Sequence, residues 1–275
     1  MDNIEPSATL GIAPGFAEPP HLASVAFHGA VAEIALNSGP LNLVTRELLR
    51  QLNRVLSAVA AHEGIRCLIL HGGSARAFCA GSDIKEFADL RHDASEHKIL
   101  FEDMVLRNLA RMPMPSVAAI DGPALGGGLE LALACDLRVI RRGIELGLTE
   151  SRLGGLAGNG SVRLTRLIGP ARAKELLFTG NTISAEQALD WGIVNRVVDA
   201  GSALDGARQL AATIVQRGPI SNRLAKVLVE AAQDQALEAA LSMSTTAQQQ
   251  IFESEDLHEG VAAFFAKRAP EFEGK

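Results

Sequence analysis

The chain has 275 residues, of which 47% are apolar, with 26 glycines and a formal charge of −6. That length supports one large domain, or one domain with an appendage, around a sizeable core. The acidic balance, the single Trp and the lack of Tyr argue against a nucleic-acid partner, because neither a basic field nor a stacking platform is available.

Residues 1–20 are Pro-rich and lack a basic segment followed by an apolar run, so they read as a loose tail rather than a signal peptide. Val25–Phe27 and Val31–Leu36 then form two strands joined by the turn His28-Gly29-Ala30. Thr45 caps a helix running to about His62, with Leu48, Leu49, Leu52, Val55, Leu56 and Val59 on one face. Cys67–His71 is a short apolar strand ending in Gly72-Gly73. A helix is expected from Ile84 onward and a longer one over Ala94–Met112, which Pro113 and Pro115 end. Ser116–Ile120 is a buried strand, followed by a helix over about Gly127–Cys135 and a strand at Leu137–Ile140. Helical stretches at Ser161–Ile168, Ala171–Thr179 and Ser184–Trp191 lead to a strand at Val194–Val198. From Ala203 onward every pattern is helical, which places a boundary near residue 200 and divides the chain into 1–20, 21–200 and 201–275.

Cys67, Cys79 and Cys135 follow no disulfide or metal spacing and read as buried thiols of a reducing compartment, so a cytoplasmic location is expected. The seven histidines are scattered, no HExxH or Cys/His cluster occurs, and no metal is expected. Val117–Cys135 is hydropathic, but Asp121, Glu130 and a glycine triplet interrupt it, which argues against a membrane span.

Two segments concentrate the chemistry: Phe78-Cys79-Ala80-Gly81-Ser82-Asp83-Ile84-Lys85-Glu86 and Gly122-Pro123-Ala124-Leu125-Gly126-Gly127-Gly128-Leu129-Glu130. Each sets glycine and small residues beside a helix start, where backbone N–H groups are unpaired. Two such openings face to face make converging donors for a developing oxyanion. Glu130 follows the second opening by about a turn among apolar neighbours, an environment in which a carboxylate is paired or functional. Glu150 alone reads as a helix-entry acid, and Asp83 with Lys85 as a solvated first turn or the contact of an anionic ligand. Neither glycine run has dinucleotide or phosphate-loop spacing, and Ala80-Gly81-Ser82-Asp83-Ile84 is not a nucleophile elbow.

Taken together these blocks resemble the crotonase (enoyl-CoA hydratase/isomerase) family from about Val25 to Phe272. Two further blocks carry the resemblance: Thr179-Gly180…Ala185…Ala188…Gly192-Ile193-Val194, and Ser254-Glu255-Asp256…Glu259-Gly260…Ala263-Phe264…Lys267-Arg268. The resemblance implies an α/β fold, a spiral of ββα turns followed by a C-terminal helical region that builds trimers or hexamers. It implies acyl-CoA thioester substrates, with coenzyme A as part of the substrate and no separate cofactor. The N–H groups of Ser82 and Gly127 would hold the thioester oxygen, and Ala80, Asp83, Ile84 and Lys85 match the stretch that meets the CoA moiety. Glu130 and Glu150 match the acids that hydratases set around a water, and Gly158 a glycine that helps place that water.

The chain departs from the family where Ala157-Gly158-Asn159-Gly160-Ser161 replaces Pro-Gly-Ala-Gly-Gly, and where Asn37–Asn42 holds no basic residue. Arg46, Arg50 and Arg54 form an i, i+4, i+8 stripe similar to the lysine comb of an RNA-binding hydratase of the family, against which the overall acidity weighs. The expected reaction is hydration of 2-enoyl-CoA to 3-hydroxyacyl-CoA or its reverse. The alternatives are a double-bond isomerase, and a CoA- or RNA-binding member without turnover. Ala88–Leu100, the expected pocket wall, shows no pattern that reveals acyl length.

Overall fold

A computed structural model describes residues 21–87, 90, 92–199 and 201–275, so the expected tail lies outside the described residues. Strands β1 (Ala23–His28) and β2 (Val31–Leu36) pair antiparallel about the positive-φ Gly29. Helix α1 (Arg46–Ala61) begins at Thr45, whose hydroxyl accepts the Leu48 N–H at 3.1 Å. Its spacing turns Leu48, Leu49, Leu52, Leu56 and Val59 inward, each buried side chain contributing roughly 1.5–3 kcal/mol.

Next come β3 (Cys67–His71), α2 (Leu100–Ala110), β4 (Ser116–Ile120), β5 (Ala124–Leu125) and α3 (Gly127–Ala134). They are followed by β6 (Leu137–Arg141), β7 (Glu145–Gly147), α4 (Gly158–Thr179), β8 (Ile183–Ser184), α5 (Ala185–Asp190) and β9 (Arg196–Val198). The chain closes with α6 (Ala203–Ile214), α7 (Pro219–Asp234), α8 (Leu237–Phe252) and α9 (Glu255–Ala266). A six-stranded sheet has the order β1-β2-β3-β4-β6-β9, parallel from β2 onward, and β5-β7-β8 form a smaller sheet. This α/β layout, parallel-rich with helices gathered at the C-terminal end, is the fold class the sequence indicated.

The inner strands of the large sheet are buried on both faces. Leu68 and Leu70 of β3 point into the main core with α1, α2 and α3, while Cys67 and Ile69 point to the other face. There α6 covers them with Ala203, Ala207 and Ala211, and a Cβ on Gly206 would stand 2.8 Å from Val198. The helical region therefore packs onto the sheet through α6.

Two elements differ from expectation. The helix expected from Ile84 is a single 3₁₀ turn, Ile84–Phe87. Asp83 turns its carboxylate to accept the Lys85 N–H at 3.0 Å, and Glu86 turns back to accept the Arg46 N–H of α1, so side chains compete with helix propagation. The expected Ala94–Met112 helix opens with a π-helical turn, Ser95–Ile99, before α2. The break expected between residues 168 and 171 is real: Gly169 has φ 77° before Pro170, which bends α4. Among the described residues no helix is long and apolar enough to cross a membrane.

Candidate active site

Two backbone openings meet as the glycine pattern predicts. The first runs alongside α1's entry loop, where Val44 donates to Gly81 O at 2.9 Å and Asp83 donates to Val44 O at 3.0 Å. A parallel bridge of this kind uses the groups flanking Ser82 and leaves its own N–H facing away. The second follows β5, which bonds to Cys79, and turns at Gly126 into α3. A Cβ on Gly127 would stand 3.7 Å from Ser82 N, and one on Gly81 would stand 4.0 Å from Gly127 N. Neither the Ser82 nor the Gly127 N–H makes a hydrogen bond among the described residues.

The glycine triplet has three separate physical causes. Gly126 has φ 51°, and a Cβ there would come within 2.8 Å of Glu150 Oε1. Gly127 must leave the gap before Ser82 open. Gly128 lies so close to the first opening that a Cβ would reach 2.0 Å from Cys79 O. Burying the whole of α3 holds this contact, and Arg138 secures its far end by donating to the carbonyls of Ala132 and Cys135 at 3.3 and 2.7 Å.

Glu130 lies on α3 and is 7% exposed, and its Oε1 accepts the Gly160 N–H at 2.7 Å. Burial raises its pKa to about 7; the Gly160 hydrogen bond opposes the rise, and the charges of Glu102 and Glu150 add to it. Glu150 opens a 3₁₀ turn, Glu150–Leu153, directly after β7, which hydrogen-bonds to Gly126 through Gly147 at 2.8 Å. Burial holds its carboxyl above the ordinary range too, and its Oε2 is buried without a hydrogen-bond partner. Two acids sharing one enclosed site, both poised to take or give a proton, suit general acid–base chemistry.

Gly158 is the exposed first residue of α4, with its N–H in the free first turn. The N–H that reaches Glu130 belongs instead to Gly160, where a Cβ would crowd Leu148 and Glu130. The departing Asn159 between them donates to Asp103 at 2.9 Å and accepts from Arg163 at 2.5 Å, tying α4 to α2.

Ala80 sits between the openings and the α1 loop, its N–H bonded to Leu41 O at 2.9 Å. Asp83, Ile84 and Lys85 follow on the outer side, with Ile84 and Lys85 exposed. A cavity of about 340 Å³ lies at the loop after β2, lined by Leu36, Asn37, Gly39 and Pro40 together with Ser74, Ala75 and Arg76. Arg76 thus supplies a cation beside the loop that lacks one. The arginine stripe is partly neutralised, with Arg50 3.5 Å from Glu47.

Sequence reasoning missed Lys98 and Glu102. Lys98 lies in the segment without a readable pattern, of which residues 88, 89 and 91 are outside the described residues, and Glu102 stands just beyond it. An i, i+4 Lys/Glu pair ordinarily signals a solvated helix face, yet here Lys98 is buried and Glu102 half-buried. The only hint in the sequence is the apolar run Ile99-Leu100-Phe101 between them.

Comparisons with known proteins show which chains this one is similar to. The family model described as enoyl-CoA hydratase/isomerase matches residues 26–275. The human mitochondrial enoyl-CoA hydratase domain-containing protein 2 is 37% identical over 255 residues, covering 89% of this chain and 86% of that protein. The rat mitochondrial methylglutaconyl-CoA hydratase is 34% identical over 239 residues, covering 85% and 76%. The crystal structure of an enoyl-CoA hydratase from Bacillus anthracis superposes with a TM-score of 0.88 at 37% identity, covering 92% of this chain and all of that one.

Proposed function

The chain belongs to the enoyl-CoA hydratase/isomerase family, and on that premise we propose that it adds water to the double bond of a 2-enoyl-CoA thioester, or removes it in reverse. The observation that carries this reading is the pair of enclosed carboxylates, Glu130 and Glu150, both held above the ordinary range beside two unpaired N–H groups. A double-bond shift needs one proton carrier, whereas water addition needs a held nucleophile and a proton source.

In the proposed reaction the thioester oxygen accepts from the N–H groups of Ser82 and Gly127. Those donors stabilise the enolate that forms as the nucleophile adds to Cβ, each contributing about 3 kcal/mol. Glu130, with Oε1 committed to Gly160, holds the water on its other oxygen and takes its proton as the hydroxide equivalent bonds to Cβ. Glu150 delivers its proton to Cα. The acids then stand in exchanged protonation states, and a proton passing from Glu130 to Glu150 resets them, so the net change is one water added. This scheme uses no metal or redox cofactor. Gly158 offers a further N–H for the water, and Ala80, Asp83, Ile84, Lys85 and Arg76 would receive the CoA portion. Free buried thiols at Cys67, Cys79 and Cys135 support a reducing, cytoplasmic setting.

The test is Glu130→Gln and Glu150→Gln, each assayed for loss of enone absorbance and for conversion of 3-enoyl to 2-enoyl thioester. Glu130→Gln should lower hydration by roughly 10²–10⁴-fold while partly sparing the shift, and Glu150→Gln should lower both. If Glu130→Gln hydrates like the parent, the isomerase reading takes its place.

A further inference from the structure

The ion pair of buried Lys98 and half-buried Glu102 stands at the same gap as the two N–H donors. Lys98 is 5% exposed, its Nζ is 3.1 Å from Glu102 Oε2 and 5.1 Å from the centre of the Phe87 ring, and it has no hydrogen-bond acceptor. The other carboxylate oxygen, Glu102 Oε1, would lie 3.7 Å from a Cβ on Gly127, the same separation that point has from Ser82 N. The pair therefore fronts the space in which the thioester and the start of its acyl group would sit.

An ammonium has three N–H donors, and here they are enclosed with only a charge contact to answer them. Taking two ions out of water costs several kcal/mol each unless further hydrogen bonds complete them. An alkyl chain laid against this wall would seal those groups dry. A hydroxyl would accept from Lys98 and donate to Glu102, completing both. An acyl carboxylate would gain little, because the formal charges of the pair cancel and Glu130 and Glu150 lie close by.

We propose that this pair forms a subsite for the acyl group and selects short acyl chains bearing a neutral hydroxyl over plain alkyl chains. The inference rests on the acyl-CoA reading above and deepens it. An ion pair that only braced α2 would give no preference between a hydroxyl and a methyl terminus.

Saturated thioesters separate the two ideas, since no hydration step is involved in their binding. Calorimetry would compare 5-hydroxypentanoyl-CoA, pentanoyl-CoA and glutaryl-CoA on the parent protein. The hydroxyl compound should bind about tenfold more tightly than the other two, the sum of two modest hydrogen bonds. That preference should vanish in Lys98→Met/Glu102→Leu and shrink several-fold in the isosteric Glu102→Gln. Pentanoyl-CoA binding as well as the hydroxyl compound would overturn the proposal, as would tighter binding of glutaryl-CoA or a preference that survives the double substitution. The parent measurement decides the first two outcomes even if the double variant does not fold. A hydroxyl preference in a protein that hydrates no enoyl-CoA would sink the hydratase reading and leave the subsite standing, while failure to bind any of the three would sink both.

Discussion

Replacing Glu130 by glutamine should make the protein more stable above neutral pH while removing its activity. Glu130 is enclosed, and burial raises its pKa from 4.5 to about 7. The folded chain therefore holds this proton more tightly than the unfolded chain. The sign follows from linkage: below about pH 4.5 the group is neutral in both states and costs nothing. Between about 4.5 and 7 the unfolded chain ionises first, and the cost to the native state grows with pH. Above 7 it levels off at about 3 kcal/mol, taking about 1.4 kcal/mol for each step of one in pKa.

Glutamine keeps an oxygen for the Gly160 N–H but buries an amide that needs an acceptor, so the expected net gain is about 1–3 kcal/mol. In a chain of this size that raises the melting temperature by several degrees, at about 2–4 °C per kcal/mol. Thermal melts of parent and variant at pH 4.5 and pH 8 check it: the curves should nearly coincide at the acid end and separate at the alkaline end. A variant no more stable than the parent at pH 8 would refute the claim that Glu130 is held under strain for catalysis.

Further consequences are open to the same kind of check. Gly127→Ala places a methyl 3.1 Å from Ser82 Oγ and 3.7 Å from Ser82 N, so turnover should fall by about 10²-fold or more while circular dichroism stays native. Normal kcat in a folded Gly127→Ala protein would remove the oxyanion assignment. Arg76→Ala should raise KM for enoyl-CoA several-fold with little change in kcat, and equal KM for both proteins would exclude Arg76 from CoA binding. Phe264 and Phe265 are 78% and 79% exposed, and Leu237 and Phe252 are also bare, so the C-terminal helices should bury an interface between copies. Sedimentation should then give a trimer or a dimer of trimers, and a monomer at micromolar concentration would count against that assembly.

The site's architecture also bears on how its parts can vary. Glu130 depends on Gly160, Gly160 on the start of α4, and that start on Asn159 bridging Asp103 and Arg163. A loop that departs from the family pattern is thus held by side-chain hydrogen bonds.

What the sequence alone determined was whatever depends on neighbours along the chain. The α1 stripe, the Thr45 cap and the break at Gly169-Pro170 follow from local spacing and backbone conformation. The two glycine-rich openings and Glu130 were legible for the same reason, since an unpaired N–H and a carboxylate one turn later are local facts. Tertiary structure decided what depends on approach from elsewhere. Gly126 answers to Glu150 and Gly128 to Cys79, and neither constraint exists until α3 meets the strand and turn that pack on it. Ile84–Phe87 stopped after one turn because Glu86 found the α1 N–H, a partner forty residues away in the chain. Lys98 and Glu102 could not be told from a solvated pair, because i, i+4 spacing sets only their mutual distance. Burial comes from the elements that close over the pair, and it leaves Lys98 only 5% exposed where spacing alone reads as a solvated face.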